Sequence, residues 1–284
     1  MVSRFPGSRR RRVVAFGHRL LASAVALLFL LPLIWAISAS LRARGVPSPR
    51  SIEWIPSPVA WGNYRDVFRI VELQRYALNS LFVAALAVPV TIAVASSAGF
   101  AISQLSQRWR LRVIALSVLS LMVPLTAIWL PRFILFKEAG LINHRLALVV
   151  PALMGTSPFY VMLFVWTFLR VPRDVYEAAR LDGAGPYRIW AEIGVPLARP
   201  AVASVGVLSF VHYWNSFVEP LLYMRTTDKM TASMGLRVLY QLGRTDWPLI
   251  MTGAVLVTAP VVVVFLVAQR AFLQDARGQS VLGR

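Results

Sequence analysis

The chain has 284 residues, 57% of them hydrophobic and only 15% charged, with a mean hydropathy of +0.63. That is more apolar surface than one water-soluble domain buries, so a soluble globular protein is excluded and an integral membrane protein is expected. Its net charge of +18 lies in short basic segments between apolar runs, where arginines orient helices and meet anionic headgroups; no nucleic-acid partner is expected. The absence of cysteine excludes disulfides, thiolate metal sites and cysteine nucleophiles, and the scattered His18, His144 and His212 form no metal cluster alone.

A helix needs about 20 mostly apolar residues to cross the hydrocarbon core, because each residue rises about 1.5 Å. Residues 1–19 read as a basic N-terminus carrying Arg9-Arg10-Arg11-Arg12, followed by a first transmembrane helix over 20–41. A cleaved signal peptide is the alternative there, since small residues stand near Ser38-Ala39-Ser40, but the apolar run is long for one. Residues 42–75 carry Pro47, Pro49, Pro56 and Pro58 with Trp54, Trp61, Tyr64 and Phe68, the composition of a folded outer segment with aromatics at headgroup level.

Residues 76–271 hold the remaining spans, expected at 78–102, 113–130, 146–169, 201–224 and 249–269, and 272–284 form a tail. Six spans put both termini on one side, and the arginine cluster makes that side the cytoplasm. Prolines inside or near the spans (Pro32, Pro89, Pro124, Pro151, Pro158, Pro220, Pro260) are tolerated where neighbouring helices satisfy the freed carbonyls. The run Ala95-Ser96-Ser97-Ala98-Gly99 allows close helix approach, and packing is its simplest role. The expected fold is therefore all-α, with six transmembrane helices.

Between the fourth and fifth spans lies a polar island, EAARLDGAGPYRIWAEIGVP, from Glu177 to Pro196. It reads as two short helices around a bend: Pro172 suits a first turn, Arg173 to Leu181 are mostly good formers, Gly183 can adopt the left-handed conformation that ends a helix, and Pro186 starts a second. Val175, Ala178, Ala179 and Leu181 give the first helix a modest apolar side, as Ile189, Trp190 and Ile193 do for the second. Arg173 and Arg180 stand at helical neighbour spacing from Glu177, and such pairs stabilise an exposed helix by about 0.2–0.5 kcal/mol each.

The spacing Glu177-Ala178-Ala179, Gly183, Ile193, Val195-Pro196 resembles the cytoplasmic EAA loop of ABC importer permeases, with Val195 standing where leucine is usual. Asn63-Tyr64, Asn79-Ser80, Met122-Val123-Pro124, Gly140-Leu141, Pro158-Phe159, Leu181-Asp182-Gly183-Ala184, Trp214-Asn215, Pro220-Leu221-Leu222 and Gln269-Arg270 are similar to segments of the carbohydrate-importing, maltose-permease-like second permease, in the same order. The tail from Asp275 to Arg284 departs from the family's Gly-rich ending.

The resemblance implies a type I importer permease in the bacterial inner membrane, moving a sugar or sugar-like solute such as a glycerol phosphate ester by alternating access. Its partners would be a homologous permease, an ABC ATPase dimer and an extracytoplasmic solute-binding protein. Glu177, Ala178, Ala179, Asp182, Gly183, Ile193 and Pro196 would couple the pore to the ATPase. ATP and Mg would be bound there, because neither Lys137 nor Lys229 sits in a phosphate-binding glycine loop.

No catalytic constellation is present: there is no G-x-S-x-G elbow, and His212 and Glu219 lack a serine or metal partner at diagnostic spacing, so the chain is not expected to be an enzyme. Ionisable groups inside a membrane suggest function, which makes His212 and Glu219, with Trp214 and Asn215, candidates for the substrate path. Hydrogen bonding across helices, or a place at the outer interface, is the structural alternative for each. The rival class is an ion-gradient-driven secondary transporter, which requires paired carboxylates or a proton relay at the bilayer midplane.

Overall fold

The computed structural model describes the backbone of residues 7–47, 54–242 and 246–282, and side chains within 16–269. Among the described residues there are helices and turns but no strands. In chain order the helices are α1 (Gly7–Ser40), α2 (Gly62–Ile70), α3 (Leu73–Ser103), α4 (Gln107–Leu121), α5 (Leu125–Glu138), α6 (Pro158–Leu169), α7 (Arg173–Leu181), α8 (Pro186–Leu197), α9 (Arg199–Asn215), α10 (Val218–Tyr223), α11 (Ala232–Leu242) and α12 (Trp247–Leu282).

Four stretches are long and apolar enough to cross a membrane: Phe16–Ser40, Leu73–Ser103, Arg145–Leu169 and Trp247–Gln269. Two bent pairs raise the number to six if each is one span. The expected third span, 113–130, breaks into α4 and α5 with a 90° bend at Met122-Val123-Pro124. Val123 precedes a proline and is therefore disfavoured in the α region, while Pro124 has no amide hydrogen to continue the ladder. The expected fifth span, 201–224, is cut short: α9 ends at Asn215, and Ser216 turns extended with ψ at 125°. In the fourth, residues 145–154 form two 3₁₀ turns, and Gly155 and Thr156, with φ at 70° and 61°, redirect the chain into α6.

The chain forms two compact units. In the first, Met1–Ile70 and Leu239–Leu256, polar side chains close the end of α1. Asn63 donates to the carbonyls of Ser40 and Arg42 at 2.7 and 2.8 Å, and Thr252 donates to the Ser40 carbonyl at 3.1 Å. The Arg44 guanidinium reaches Asp246 at 2.9 Å and Asp66 at 3.1 Å, and the Asp246 hydrogen bond raises its affinity for its proton. The described residues 54–70 of the segment 42–75 thus fold against the end of α1. This unit also recruits residues 239–256, which the sequence reading places in the permease domain, because Asp246, Trp247 and Thr252 bond to the α1 end.

The second unit, Val71–Val238 and Val257–Arg284, is organised on α3, which packs against α6 and α9. A β-carbon at Gly99 would lie 2.6 Å from the Phe164 β-carbon and 3.0 Å from the Val161 carbonyl, so the small-residue run is where α3 and α6 cross closely. Two buried clusters lie along α3. One gathers Val83, Ala84, Ala87, Phe136, Leu148, Tyr213 and Tyr223; the other gathers Ala95, Phe100, Phe164, Phe168, Tyr176 and Ile189. With a rise of about 1.5 Å per residue, they are centred about 20 Å apart.

Candidate functional site

The polar island occupies the C-terminal end of α3, where Tyr176, Ala179 and Ile189 enter the second cluster and Tyr176 meets Phe100 edge-on with centroids 5.7 Å apart. The segment 225–231 lies at the other end: Asn79 donates to the carbonyls of Asp228 and Met230 at 2.8 and 2.9 Å, and Ser80 Oγ accepts the Ala232 amide at 2.9 Å. From Asn79 to Gln104 the helix rises about 37 Å, more than a hydrocarbon core. Island and 225–231 segment therefore stand at opposite ends of the second unit.

Within the island, α7 spans Arg173–Leu181, as the sequence predicts, and ends in a Schellman arrangement. The Ala184 amide donates to the Ala179 carbonyl and the Gly183 amide to the Arg180 carbonyl, both at 3.0 Å, with Gly183 left-handed at φ 83°. The helix departs from the expected apolar side. Tyr176 (4% exposed) and Ala179 are buried, whereas Val175, Ala178 and Leu181 are exposed, Leu181 at 89%. A buried ring outweighs several small contacts, so Tyr176 sets the rotation of α7. The expected Glu177 pairs do not form among the described residues; Arg180 donates to Gln104 Oε1 at 2.7 Å.

The second island helix, α8, is not regular. Residues Ile189–Gly194 wind as a π-helix, because Pro196 lacks an amide and its ring crowds the carbonyl four residues back. Ile193 is half-buried and Pro196 exposed, while Ile189, 1% exposed, anchors α8 beside Tyr176. Asp182 caps α7 and is exposed. Glu177 lines a 330 Å³ cleft with Arg173, Tyr176, Arg180, Gln104 and Ser106; burial pushes the Tyr176 phenol up, so it remains protonated. The result is an exposed, charged helix face carried on an aromatic anchor.

The second site is a cavity of about 470 Å³ at the α4–α5 bend, walled by α3, α5, α6 and α9. Of the expected substrate-path residues, His212 and Glu219 line it, whereas Trp214 and Asn215 do not. Trp214 is 3% exposed, stacked on Phe210 at 5.6 Å, and its Nε1 donates to the Val257 carbonyl at 2.9 Å, a structural tie between α9 and α12. Asn215 is exposed at the end of α9. Glu219 Oε2 accepts the Ser216 hydroxyl at 2.6 Å.

Sequence reading missed several lining residues. Arg132 enters from α5, and Ser157, Tyr160 and Thr156 from the turn into α6. Thr156 Oγ1 is 2.6 Å from Thr91 Oγ1 and 2.6 Å from the Tyr213 hydroxyl, a polar chain tying α3, the α6 turn and α9 together. Arg132 carried a legible signal: it interrupts the apolar run Leu125 to Phe136, but ending the third span at Leu130 assigned it to a loop. The convergence of Thr91, Thr156 and Tyr213 had no sequence signal, since those positions are far apart in the chain.

An apolar helical unit with a charged knob at one end and a half-polar cavity near its middle is a membrane permease rather than a receptor domain or an anchored soluble protein. The chain belongs to the family described as the binding-protein-dependent transport system inner membrane component, which it matches over residues 78–278. It is 28% identical over 274 residues to the lactose transport system permease of Rhizobium radiobacter, covering 95% of this chain and 97% of that one. The diacetylchitobiose uptake system permease of Streptomyces coelicolor is likewise 28% identical over 274 residues, covering 95% and 89%. A crystal structure of a bacterial ABC transporter that imports the acidic polysaccharide alginate shares the fold, with a TM-score of 0.71 at 20% identity over 94% of this chain and 99% of that one.

Proposed function

We propose that the chain is one of two permease halves of an ATP-driven importer in the bacterial inner membrane, carrying a sugar or sugar-like solute into the cytoplasm. A homologous permease completes the pore, an ABC ATPase dimer binds ATP and Mg and hydrolyses the nucleotide, and an extracytoplasmic binding protein delivers the solute. The chain itself performs no catalysis. Both termini and the island face the cytoplasm. The family's dependence on a binding protein disfavours the gradient-driven rival.

One observation carries this reading: α7 presents Arg173, Asp174, Val175, Glu177, Ala178, Arg180 and Leu181 outward, while Tyr176 and Ala179 fasten it to the α3–α6 core. A short helix so mounted transmits a push from a docked partner into the spans instead of absorbing it. Glu177 supplies charge to the partner's groove, Ala178 and Leu181 apolar contact, and Gly183 with Asp182 the fixed bend; Ile193 and Pro196 hold α8 behind it. His212 and Glu219 face the solute. Glu177→Lys combined with Gly183→Asp is expected to abolish uptake and ATPase co-purification with membrane insertion intact; full uptake with the ATPase retained refutes the assignment.

A further inference from the structure

The cavity holds two opposite charges, Arg132 and Glu219, that make no ion pair with each other among the described residues. Arg132 is half-buried on α5 and lines the cavity, and the ion pairs among the described residues, Arg44 with Asp66 and Asp246, Arg75 with Glu72, and Arg188 with Glu192, leave it without a carboxylate. Glu219 shares the cavity, yet it takes the Ser216 hydroxyl and forms no ion pair with Arg132. A guanidinium does not deprotonate in proteins, and holding one in an apolar span with no carboxylate in direct contact is costly, which favours a mobile anionic partner. The remaining polar lining is hydroxyl and imidazole, and includes Ser157, Tyr160, Thr156, Ser216 and His212.

We propose, resting on the importer reading above, that this cavity passes a hydroxyl-rich solute bearing one anionic group, a carboxylate or a phosphate, and that Arg132 is the specificity-determining residue that holds it. The planar fork of Arg132 matches either oxyanion bidentately, and Glu219 accepts hydrogen bonds from the solute's hydroxyls. The walls of Val83, Leu125, Ile128 and Leu148 cover the apolar faces of the ring or chain.

The test uses the assembled transporter in proteoliposomes with its binding protein and three labelled probes: lactose, lactobionate and glycerol 3-phosphate. Lactobionate keeps the galactose of lactose and replaces its reducing glucose with an open-chain gluconate bearing the carboxylate, and glycerol 3-phosphate presents the phosphate alternative, so the two anionic arms separate the sources of the charge. ATP-dependent uptake of at least one anionic probe is expected. Arg132→Gln should cut that uptake about tenfold or more while any lactose uptake stays within twofold, and Arg132→Lys should recover part of the loss. Uptake of lactose alone by the unaltered protein, or equal loss of every probe in Arg132→Gln, overturns the assignment and leaves the importer reading standing. Absence of ATP-dependent uptake for all three also overturns the assignment, while the importer reading, which commits to no single solute, falls only to retained uptake and ATPase attachment in Glu177→Lys with Gly183→Asp.

Discussion

At the α7 end of the second unit, aromatic rings lie inward and charges outward: Tyr176, Phe100 and Phe168 are packed together while Arg173, Glu177 and Arg180 face out. Around the cavity the order is inverted. Arg132, His212, Glu219 and Tyr160 line the inside, and α5 turns Leu130, Ile134 and Leu135 outward. A surface facing water and a protein partner needs the first arrangement, whereas a passage through lipid needs the second. One helical unit thus contains a charged outward face and a polar interior, joined through α3 and α6.

The sharpest way to break this contrast is at the bend behind α7. Gly183→Val places a β-branched residue at φ 83°, a region such residues avoid, and should release the Schellman turn. Uptake should fall about tenfold or more with insertion unchanged, read as ATP-dependent solute accumulation in vesicles. Next comes the joint between the two regions. Gly99→Leu drives a side chain into the Phe164 β-carbon 2.6 Å away, and overpacking of this kind costs about 1–3 kcal/mol. A lowered midpoint in a thermal size-exclusion assay is expected; an unchanged midpoint would mean that α3 and α6 do not cross there.

A smaller effect separates anchor from contact. Leu181→Ser removes an exposed side chain and should leave the stability within about 0.5 kcal/mol of the parent while weakening ATPase co-purification. Loss of stability in place of docking would make Leu181 part of the core. Smallest is Trp214→Phe, which keeps the ring stacked on Phe210 but deletes the hydrogen bond to the Val257 carbonyl. It should cost about 1 kcal/mol of stability with uptake unchanged. Altered solute preference would return Trp214 to the passage.

How far the sequence was legible follows the same division. The island was readable because its determinants are local: Pro172, the helix formers, Gly183 and Pro186 act within a turn or two, and α7 and the left-handed Gly183 lie where spacing put them. Its rotation was not, because Tyr176 is selected by Phe100 about 76 positions away in the chain, information that no local pattern carries. The spans were legible by hydropathy, but their breaks at Pro124, Thr156 and Ser216 were not, because an apolar run has the same hydropathy whether it is straight or folded back. The cavity emerges from those breaks. His212 and Glu219 were therefore found as isolated ionisable groups, while Arg132 and the Thr91, Thr156 and Tyr213 chain were not.

Because the chain has no cysteine, a single introduced thiol reports one position, and this gives the most direct test of the central claim. Leu181→Cys in the assembled importer should react with a membrane-impermeant maleimide in inside-out vesicles stripped of the ATPase and be protected when the ATPase is restored, while Asp228→Cys should react only in right-side-out cells. Labelling of Leu181→Cys from the outer face, or identical labelling with and without the ATPase, would contradict the account.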